Sequence, residues 1–520
     1  MVLDPQKIAV IARQIDILIQ SIHEKDLAFS KDVNAVHPRN IRSAKNLVHY
    51  MALRAFDLRS LQAQLSEISL SSFAHAEGYI LHNLYQLKRV LASLLSLEAG
   101  EIDWCRAPFT FVQSKQQLLH NTQVLFGIPD EDEHRTRIMV TMPGHAAEDY
   151  GLVKSFLIAG MNLARLNTSH DGPEVWYKII RHIRKAEDET GKQCKIYIDL
   201  SGPKVRTNLE RSKILDKSRV NKKEGGLRLY KTDKICLVKD IDELVKPKKY
   251  KKQLVGFIES TLPSLVDDVR VGHSIFFDDG KIGAMVVHKD ALGAHVEILQ
   301  AAEAGTKLKN EKGINLPDTH LNISALTAAD LENLRFVAQY ADIVGYSFVR
   351  APQDVLDLQE ALTALGRSDM HIVLKIENKA AFDNLPKLIL AAMRFPMAGV
   401  MIARGDLAVE IGFQRTAEVQ EEIMWICEAA HLPDIWATQV LEQLAKKGLA
   451  TRSEITDAAM AARAECVMLN KGPYIVQAIQ TLRDILSRME MHMNRKQGSF
   501  RPLSVASHFF DKSASVNKSV

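Results

Sequence analysis

The chain of 520 residues has few cysteines, and none of the five lies in a Cys-x-x-Cys pair. Their scattered positions exclude a disulfide framework and a cysteine-based zinc site, and they favour reduced thiols inside a cell. The N-terminus lacks the apolar core of a secretory signal, because Arg13 and Asp16 interrupt the run IAVIARQIDILI. We therefore expect a cytoplasmic protein.

Long hydrophobic stretches are also missing, since no run of about eighteen apolar residues occurs, and the sequence predicts no membrane span. The net charge is only +4, which gives no indication of nucleic-acid binding. No GxxxxGK[ST] motif is present, which excludes a P-loop nucleotide site. With 46% hydrophobic and 25% charged residues, the chain is typical of globular proteins, and its length predicts about two to four domains.

Residues 1–130 show the periodicity of helices. In AKNLVHYMALRAFDLRSLQAQLSEI most apolar residues recur at helical spacing, and AEGYILHNLYQLKRVLASLLSL repeats the pattern. Little in this region indicates chemistry. We interpret it as a helical N-terminal extension for packing or oligomerisation, and we expect a homo-oligomer.

From residue 135 onward, short β-rich runs alternate with helical segments. The runs are apolar on both faces, as is typical of parallel strands covered by helices. Eight such units predict an α/β fold, a closed (β/α)8 TIM barrel. The strand candidates are RIMVTM (137–142), NLARLN (162–167), KIYIDL (195–200), ADIVGYSF (341–348), HIVLKIE (371–377), GVMIA (399–403), DIWAT (434–438) and CVMLN (466–470).

A long insertion separates the third and fourth strand candidates and contains its own β-type runs, such as KICLVK and SIFFDDGKIGAMVV. An insertion of this kind predicts a domain, and we expect a small β-barrel lid because it leaves at the carboxyl end of a barrel strand. The barrel is accordingly predicted in two parts, 135–207 and 316–492, with the lid at 208–315. The serine-rich tail, 493–520, is predicted to be disordered.

Polar side chains follow six of the predicted strands at their carboxyl ends, where TIM barrels carry their active sites. Glu377 and Asp406 follow adjacent strands, so their carboxylates are suited to share a hard cation such as Mg²⁺ or Mn²⁺. Ion pairing with Lys375 and Arg404 is the structural alternative. The other candidates at these ends are Arg165, Asn167, Ser169, His170, Asp199, Lys204, Arg206, Ser347, Arg350, Gly405, Thr438 and Gln439.

Four of these residues are cations predicted to point into one mouth, namely Arg165, Arg206, Lys375 and Arg404. Such a cluster favours a phosphate-bearing ligand, and phosphoryl transfer needs mainly positioning and charge neutralisation. Asp406 would then hold the metal. Gly405 would let a ligand approach a helix N-terminus closely, and Arg404 would orient the carboxylates.

Nine motifs follow one another along the chain: GMNLARLNTSH, DLSGPKVRT, DDGKI, KGINLP, YSFVR, LKIEN, MIARGDLAVEI, ATQVLE and TRSEITDAA. Taken in this order, they resemble the pyruvate kinase family over about residues 135–490. The resemblance implies glycolytic transfer of the phosphoryl group of phosphoenolpyruvate to ADP, giving pyruvate and ATP, with Mg²⁺ or Mn²⁺ as the cofactor.

The same resemblance implies roles for single residues. Lys375, Thr438 and Arg165 match catalytic positions, with Lys375 at the transferring phosphoryl group and Thr438 in proton delivery. Glu377 and Asp406 match the ligands of the divalent metal. Contacts to substrate or nucleotide are implied for Arg165, Asn167, His170, Arg206, Gly405, Asp406 and Thr438. A monovalent-cation site is implied for Asn167, Ser169 and Asp199.

Lys204 matches a position at which a glutamate marks the K⁺-dependent members of the family and a lysine the K⁺-independent ones. A fixed ammonium group can supply the positive charge that K⁺ would bring. We therefore predict that K⁺ is not required.

Three features depart from the family pattern. The usual C-terminal allosteric domain is not recognisable, NKGPY (470–474) replaces SGETAKG, and TMPGHA (141–146) replaces TIGPAS. The last two lie on the nucleotide side, so the nucleotide preference stays open. Two alternatives also stay open: a phosphoenolpyruvate-type phosphotransferase with a different acceptor, and a non-catalytic metabolite-binding relative.

Overall fold

Helices, a closed barrel and an inserted sheet make up the computed structural model of the chain. It describes residues 4–494 except 71, 72, 74, 99, 101, 130–134, 221–225, 245–249, 251 and 252, and it also describes residues 497 and 498. Within these residues, no helix has the length and apolarity needed to cross a membrane.

The N-terminal region forms helices whose apolar faces pack together. The first begins at Pro5, where proline suits the first helical turn and the Asp4 side chain accepts the Gln6 N–H. Its buried positions, such as Ile11, Ile15 and Ile22, recur at helical spacing. The α-helices are α1 (Pro5–Ala28), α2 (Ser30–Asn34), α3 (Ile41–Arg54), α4 (Arg59–Glu67), α5 (Ile80–Leu94) and α6 (Phe111–Phe126).

The barrel begins after these helices, and its first three strands alternate with helices. Its elements are β1 (Arg137–Thr141), α7 (Tyr150–Ala159), β2 (Leu163–Asn167), α8 (Pro173–Thr190) and β3 (Lys195–Asp199). The inserted segment follows, and the name lid is kept for it: β4 (Thr207–Ile214), β5 (Leu227–Leu229), β6 (Lys234–Val238), β7 (Gly256–Ser260), α9 (Leu265–Asp268), β8 (Ser274–Phe277), β9 (Ile282–Asp290), β10 (Gly293–Gln300), β11 (Thr306–Leu308) and β12 (Ile314–Asn315).

The second part of the barrel supplies the other five strands. It consists of α10 (Ala328–Tyr340), β13 (Ile343–Tyr346), α11 (Pro352–Ala364), β14 (His371–Ile376), α12 (Lys379–Asp383), α13 (Leu385–Ala392), β15 (Ala398–Ala403), α14 (Arg404–Ile411), α15 (Phe413–Ala429), β16 (Asp434–Ala437), α16 (Glu442–Lys447), α17 (Arg452–Ala461), β17 (Cys466–Leu469) and α18 (Ile475–His492). Most of the predicted tail lies outside the described residues, apart from the paired strands β18 (Met493–Asn494) and β19 (Gln497–Gly498).

The eight barrel strands close in the order β1-β17-β16-β15-β14-β13-β3-β2, and neighbouring strands are parallel. The prediction of a TIM barrel with an inserted β domain is therefore confirmed. In the lid, seven strands form a mixed sheet in the order β12-β8-β9-β10-β6-β7-β4, and β11 pairs with β5. The closed barrel brings the carboxyl ends of eight strands to one face.

The N-terminal helices pack against the barrel. Asparagine side chains donate across this boundary: Asn40 to the carbonyls of Met393 and Phe395, Asn46 to that of Ala429, and Asn121 to that of His431. At the end of α6, Leu125 and Phe126 join a core cluster with barrel residues such as Met139, Tyr197 and Ile435. A Cβ on Gly399 of β15 would lie 2.6 Å from the Leu125 side chain, so this close approach requires glycine.

Phe126→Ala is expected to lower the free energy of unfolding by about 3–5 kcal/mol, because it leaves a cavity where α6 enters the barrel core. Phe126 is only 1% exposed. Urea unfolding followed by circular dichroism measures the loss. Val112→Ala on the exposed face of the same helix is the control and is expected to change stability by less than about 0.5 kcal/mol. Equal effects of the two substitutions would contradict the packing of α6 into the barrel.

Candidate active site

A buried ion-pair cluster lies where β2, β3 and β14 end. Lys375 Nζ is 3.5 Å from Asp199 Oδ2 and 3.2 Å from Glu377 Oε1, and it donates to Ser347 Oγ at 2.7 Å. Arg165 reaches the same Asp199 oxygen at 2.5 Å. The barrel therefore brings together five of the predicted residues, which come from four strand ends.

The charges of this cluster stabilise one another despite their burial. Burial lowers the pKa of Lys375, but Asp199 and Glu377 outweigh it and raise the pKa above the ordinary lysine value. Burial likewise raises the pKa of Asp199, but Arg165 and Lys375 outweigh it and lower the pKa overall. At neutral pH the site therefore holds a fixed ammonium beside a fixed carboxylate.

Glu377 differs from Asp199 because its charge is not fully compensated. Burial and the nearby charge of Asp406 raise its pKa, although Lys375 acts in the opposite direction and the Phe348 N–H donates to Glu377 Oε2 at 2.8 Å. The Lys375 ammonium lowers the pKa of Glu377, but burial and the charge of Asp406 outweigh it. Lys375 cannot fully compensate Glu377 because it is shared with Asp199. A further cation next to Glu377 and Asp406 would relieve this imbalance.

The donor set suits a hard divalent cation. Glu377 and Asp406 offer carboxylate oxygens only, and Mg²⁺ typically binds proteins through one or two carboxylates while keeping water or substrate oxygens as its other ligands. No group of three or more His, Cys, Asp or Glu side chains arranged for a metal occurs in the described part of the chain. The two carboxylates therefore fit Mg²⁺ or Mn²⁺ and do not resemble an all-protein metal cage.

Lys204 forms an ion pair with Asp406. Its ammonium donates to both carboxylate oxygens, at 2.8 Å to Oδ1 and 3.0 Å to Oδ2. The predicted monovalent-site residues lie elsewhere around the mouth: Asp199 is paired with Arg165 and Lys375, while Asn167 accepts the Ser169 N–H at the end of β2. The role of this site, and of Lys204 in it, stays a prediction.

Arg404 does not orient the metal-site carboxylates, so that prediction is wrong. Its guanidinium turns instead to Asp457 on α17, with N–O distances of 2.5 and 2.9 Å, and lies over the ring of Trp436. It also donates to the carbonyls of Ala437 and Thr438. Arg404 thus fastens the end of β16 to the start of α14.

A hydrogen bond joins Gly405, in the first turn of α14, to Thr438, directly after β16. The Gly405 N–H donates to Thr438 Oγ1 at 2.9 Å, and a Cβ on Gly405 would meet that oxygen at an ordinary 3.6 Å. The described protein atoms therefore do not require glycine here, and close approach of a ligand stays a prediction. Thr438 has φ of 68°, a conformation that costs a β-branched residue on the order of 1–3 kcal/mol.

The ends of β1, β2 and β17 form a second side of the mouth. Arg165 donates to Thr141 Oγ1 at 3.0 Å, and Thr141 is 3.4 Å from the Asn470 side chain. Partial burial and the positive charge of Lys471 lower the pKa of His170. The two sequence departures after β1 and β17 therefore face each other and His170.

Arg206 lies on the first connection to the lid. Its guanidinium donates to the Glu311 carbonyl, and its charge also contributes to the lowered pKa of His170.

Three residues interact with side chains of the site in ways that the sequence did not predict. Ser347 was a candidate without a role and accepts from Lys375. Asp457 lies within the motif TRSEITDAA but had no assigned partner, and Lys471 belongs to a loop identified only as a departure. Spacing along the chain carries no signal for these pairings.

Comparison with known proteins agrees with this geometry. The family model described as "Pyruvate kinase, barrel domain" matches residues 133–479. The chain is similar to proteins named pyruvate kinase from Bacillus licheniformis (34% identity over 373 residues), Geobacillus stearothermophilus (33% over 371) and Staphylococcus saprophyticus (32% over 373). Each match covers 70% of this chain and 58% of the relative, so the chain spans little more than half the length of those relatives.

The family match covers the closed barrel and the lid, and it includes every site residue described above. The chain belongs to the pyruvate kinase family.

Proposed function

We propose that the protein is a pyruvate kinase that transfers the phosphoryl group of phosphoenolpyruvate to ADP and releases pyruvate and ATP. The observation that carries the proposal is the buried Lys375 ammonium, held between Asp199 and Glu377, with Asp406 next to Glu377. Transfer between two anions needs a fixed positive charge where negative charge develops, and few other groups.

Glu377 and Asp406 would hold Mg²⁺ or Mn²⁺, which when bound neutralises substrate oxygens and orients them. Lys375 would contact the transferring phosphoryl group and the enolate oxygen of the product. Arg165 lies beside it on the same Asp199 oxygen and would bind a phosphate oxygen on the opposite side. Arg206 and His170 would contact the nucleotide phosphates, with Asn167.

Thr438 is proposed to deliver the proton that converts the enolate into pyruvate. Its Oγ1 accepts the Gly405 N–H, so the hydroxyl proton points elsewhere. Among the described residues that proton has no acceptor, which leaves it available to a bound substrate or to a water chain. The anchoring of its backbone by Arg404 fixes where the hydroxyl lies.

Pyruvate formation from phosphoenolpyruvate tests the proposal. The assay contains Mg²⁺ and compares ADP, GDP and other nucleoside diphosphates, with a nucleotide-free control. We expect turnover with at least one diphosphate, at a rate far above the control, and ATP or the matching triphosphate in equal amount. If no diphosphate supports pyruvate formation, the kinase proposal fails; loss of phosphoenolpyruvate without a diphosphate would instead favour another acceptor.

The rate is expected to be independent of K⁺. The reason is that Lys204 places a permanent ammonium group inside the site, so a bound K⁺ would add a charge already present. Replacing K⁺ by Na⁺ or tetramethylammonium at constant ionic strength should change kcat by less than about twofold. Strong activation by K⁺ over Na⁺ would contradict the prediction.

A further inference from the structure

A cavity of about 550 Å³ lies between the N-terminal helices and the barrel. Arg54, at the end of α3, and Ile80, at the start of α5, line it from the helical side, while Trp425 of α15 and Arg463 line it from the barrel side. Its volume is typical of small-molecule sites. The helical wall lies outside residues 133–479, so the family match does not account for this cavity.

The lining offers open aromatic surface. Leu53 and Ile80 are buried there, whereas Phe56 keeps 40% of its surface exposed and Trp425 is half-buried. Aromatic side chains contribute large apolar areas to binding, and they pack well against other rings in offset or edge-to-face arrangements. Phe56 and Trp425 therefore favour a ligand that carries an aromatic ring.

Arg54 is a cation of this cavity with no carboxylate partner among the described residues. Its guanidinium carbon lies 5.2 Å from the centroid of the Trp425 ring and 5.5 Å from that of the Tyr50 ring, and its Nη1 donates to Tyr50 Oη at 2.7 Å. Arg59, by contrast, is paired with Asp57 through contacts of 2.9 and 2.6 Å. A guanidinium that lies over aromatic rings keeps its other N–H donors for an anion.

Two further donors in the lining are unused. Tyr50 Oη accepts from Arg54, and no acceptor for its own proton occurs within the described structure. Burial raises the pKa of Tyr50, so the side chain stays a neutral phenol. Arg463 places both terminal nitrogens on Glu421, while its buried Nε–H has no acceptor among the residues described. Buried donors without acceptors favour a ligand that supplies acceptor oxygens.

We propose that this cavity binds a small aromatic anion, whose ring packs against Phe56 and Trp425 and whose carboxylate or phosphate accepts from Arg54 and Tyr50. Three arginines and two acids line the cavity, which leaves it a net positive charge with His75 neutral. Carboxylate and phosphate oxygens offer an arginine the same bidentate geometry, so the test has to separate the two groups. The site is independent of the chemistry proposed at the mouth of the barrel.

A ligand in this position would contact the N-terminal helices and the barrel at the same time. Phe56, Tyr50 and Arg54 belong to the helical region, and Trp425 belongs to a barrel helix. Because the ligand binds the folded chain with both walls in place, it should raise the midpoint of thermal unfolding in a concentration-dependent way.

Calorimetric titration of the full chain tests the proposal with small probes. Phenyl phosphate and phenylacetate carry both a ring and an anion, benzyl alcohol carries a ring alone, and inorganic phosphate and acetate carry an anion alone. We expect at least one aromatic anion to bind about 10-fold more tightly than every probe with a single feature, since a hydrogen bond to a charged group contributes about that much. The tighter of the two aromatic anions identifies the preferred acid group.

Three variants locate the binding. Arg54→Met should weaken the better aromatic anion at least about 10-fold, and Tyr50→Phe, which removes only the hydroxyl, should weaken it about 3-fold. Arg89→Met is the matched control, because Arg89 also lies over a tryptophan ring, that of Trp104, but does not line the cavity. It should bind as the wild type does. Circular dichroism shows that each variant is folded, and Tyr50→Phe keeps the test decisive if Arg54→Met is not.

Several results would overturn the inference. One is the absence of binding by either aromatic anion at millimolar concentration, and another is binding no tighter than that of the probes with a single feature. Binding that neither Arg54→Met nor Tyr50→Phe weakens would also overturn it. Displacement of the probe by phosphoenolpyruvate and Mg²⁺ would place the probe at the mouth of the barrel. None of these readouts is an assay of turnover, so failure of the kinase proposal is recognised separately.

Discussion

Lys375→Met is expected to lower kcat for pyruvate formation by about 1,000-fold, because the substitution removes the only ammonium that contacts Glu377 and Asp199 together in the described structure. A methionine fills similar space but offers no charge to the transferring phosphoryl group. Steady-state kinetics with saturating phosphoenolpyruvate, Mg²⁺ and the preferred diphosphate measure the loss.

The same substitution leaves two buried carboxylates short of a partner, so stability has to be measured beside activity. Breaking a buried pair costs roughly 3–5 kcal/mol, which thermal unfolding detects. Lys379→Met is the matched control, since Lys379 lies four residues on and pairs with Asp383 at the surface. A folded Lys375→Met protein that retains more than a tenth of the wild-type rate would remove Lys375 from the proposed chemistry.

Arg404→Met is expected to lower kcat by about 100-fold, although Arg404 does not reach the carboxylates of the proposed metal site. The guanidinium donates to the Thr438 carbonyl and forms an ion pair with Asp457. Without it, we expect the backbone at Thr438 to relax from its positive φ. The pair is also mostly buried, and its disruption should cost roughly 3–5 kcal/mol of stability. Kinetics together with urea unfolding test both effects.

A double-mutant cycle shows whether the two residues act as one unit. Asp457→Asn should reproduce most of the loss, and the double variant should be little worse than either single one, with a coupling energy of roughly 0.5–3 kcal/mol. Arg415→Met removes an arginine from an exposed pair with Glu418 and should stay within about 0.5 kcal/mol of the wild type. Additive effects of Arg404 and Asp457 would show that their contact does not fix the backbone at Thr438.

The barrel strands could be predicted because each is a short apolar run, buried on both faces and bounded by polar residues. The observed strands start and end within two residues of the predicted ones, as with GVMIA, which becomes Ala398–Ala403. The approach of Lys375 to Glu377 and Asp199 also followed from the fold, since a closed parallel barrel gathers its strand ends.

Side-chain pairings between distant segments could not be predicted in the same way. Arg404 and Asp406 were expected to share one ionic cluster, but Arg404 binds Asp457, 53 residues later, and Asp406 binds Lys204, 202 residues earlier. An ion pair of Arg404 with Asp406 and one with Asp457 are equally favoured by the attraction of opposite charges. The choice depends on the direction in which the side chain leaves the first turn of α14, which the residue pattern does not encode.

The contact of the N-terminal helices with the barrel also has a consequence for the synthesis of the chain. Asn40 is bonded to carbonyls 353 and 355 residues later, and Asn46 to one 383 residues later. At 5–20 residues per second, the ribosome reaches those partners roughly 20–80 s after it has made the asparagines. During that delay the apolar end of α6, with Phe126, has no barrel to enter. The nascent chain therefore carries an exposed hydrophobic end that chaperones can bind until β17 has been made and the barrel can close.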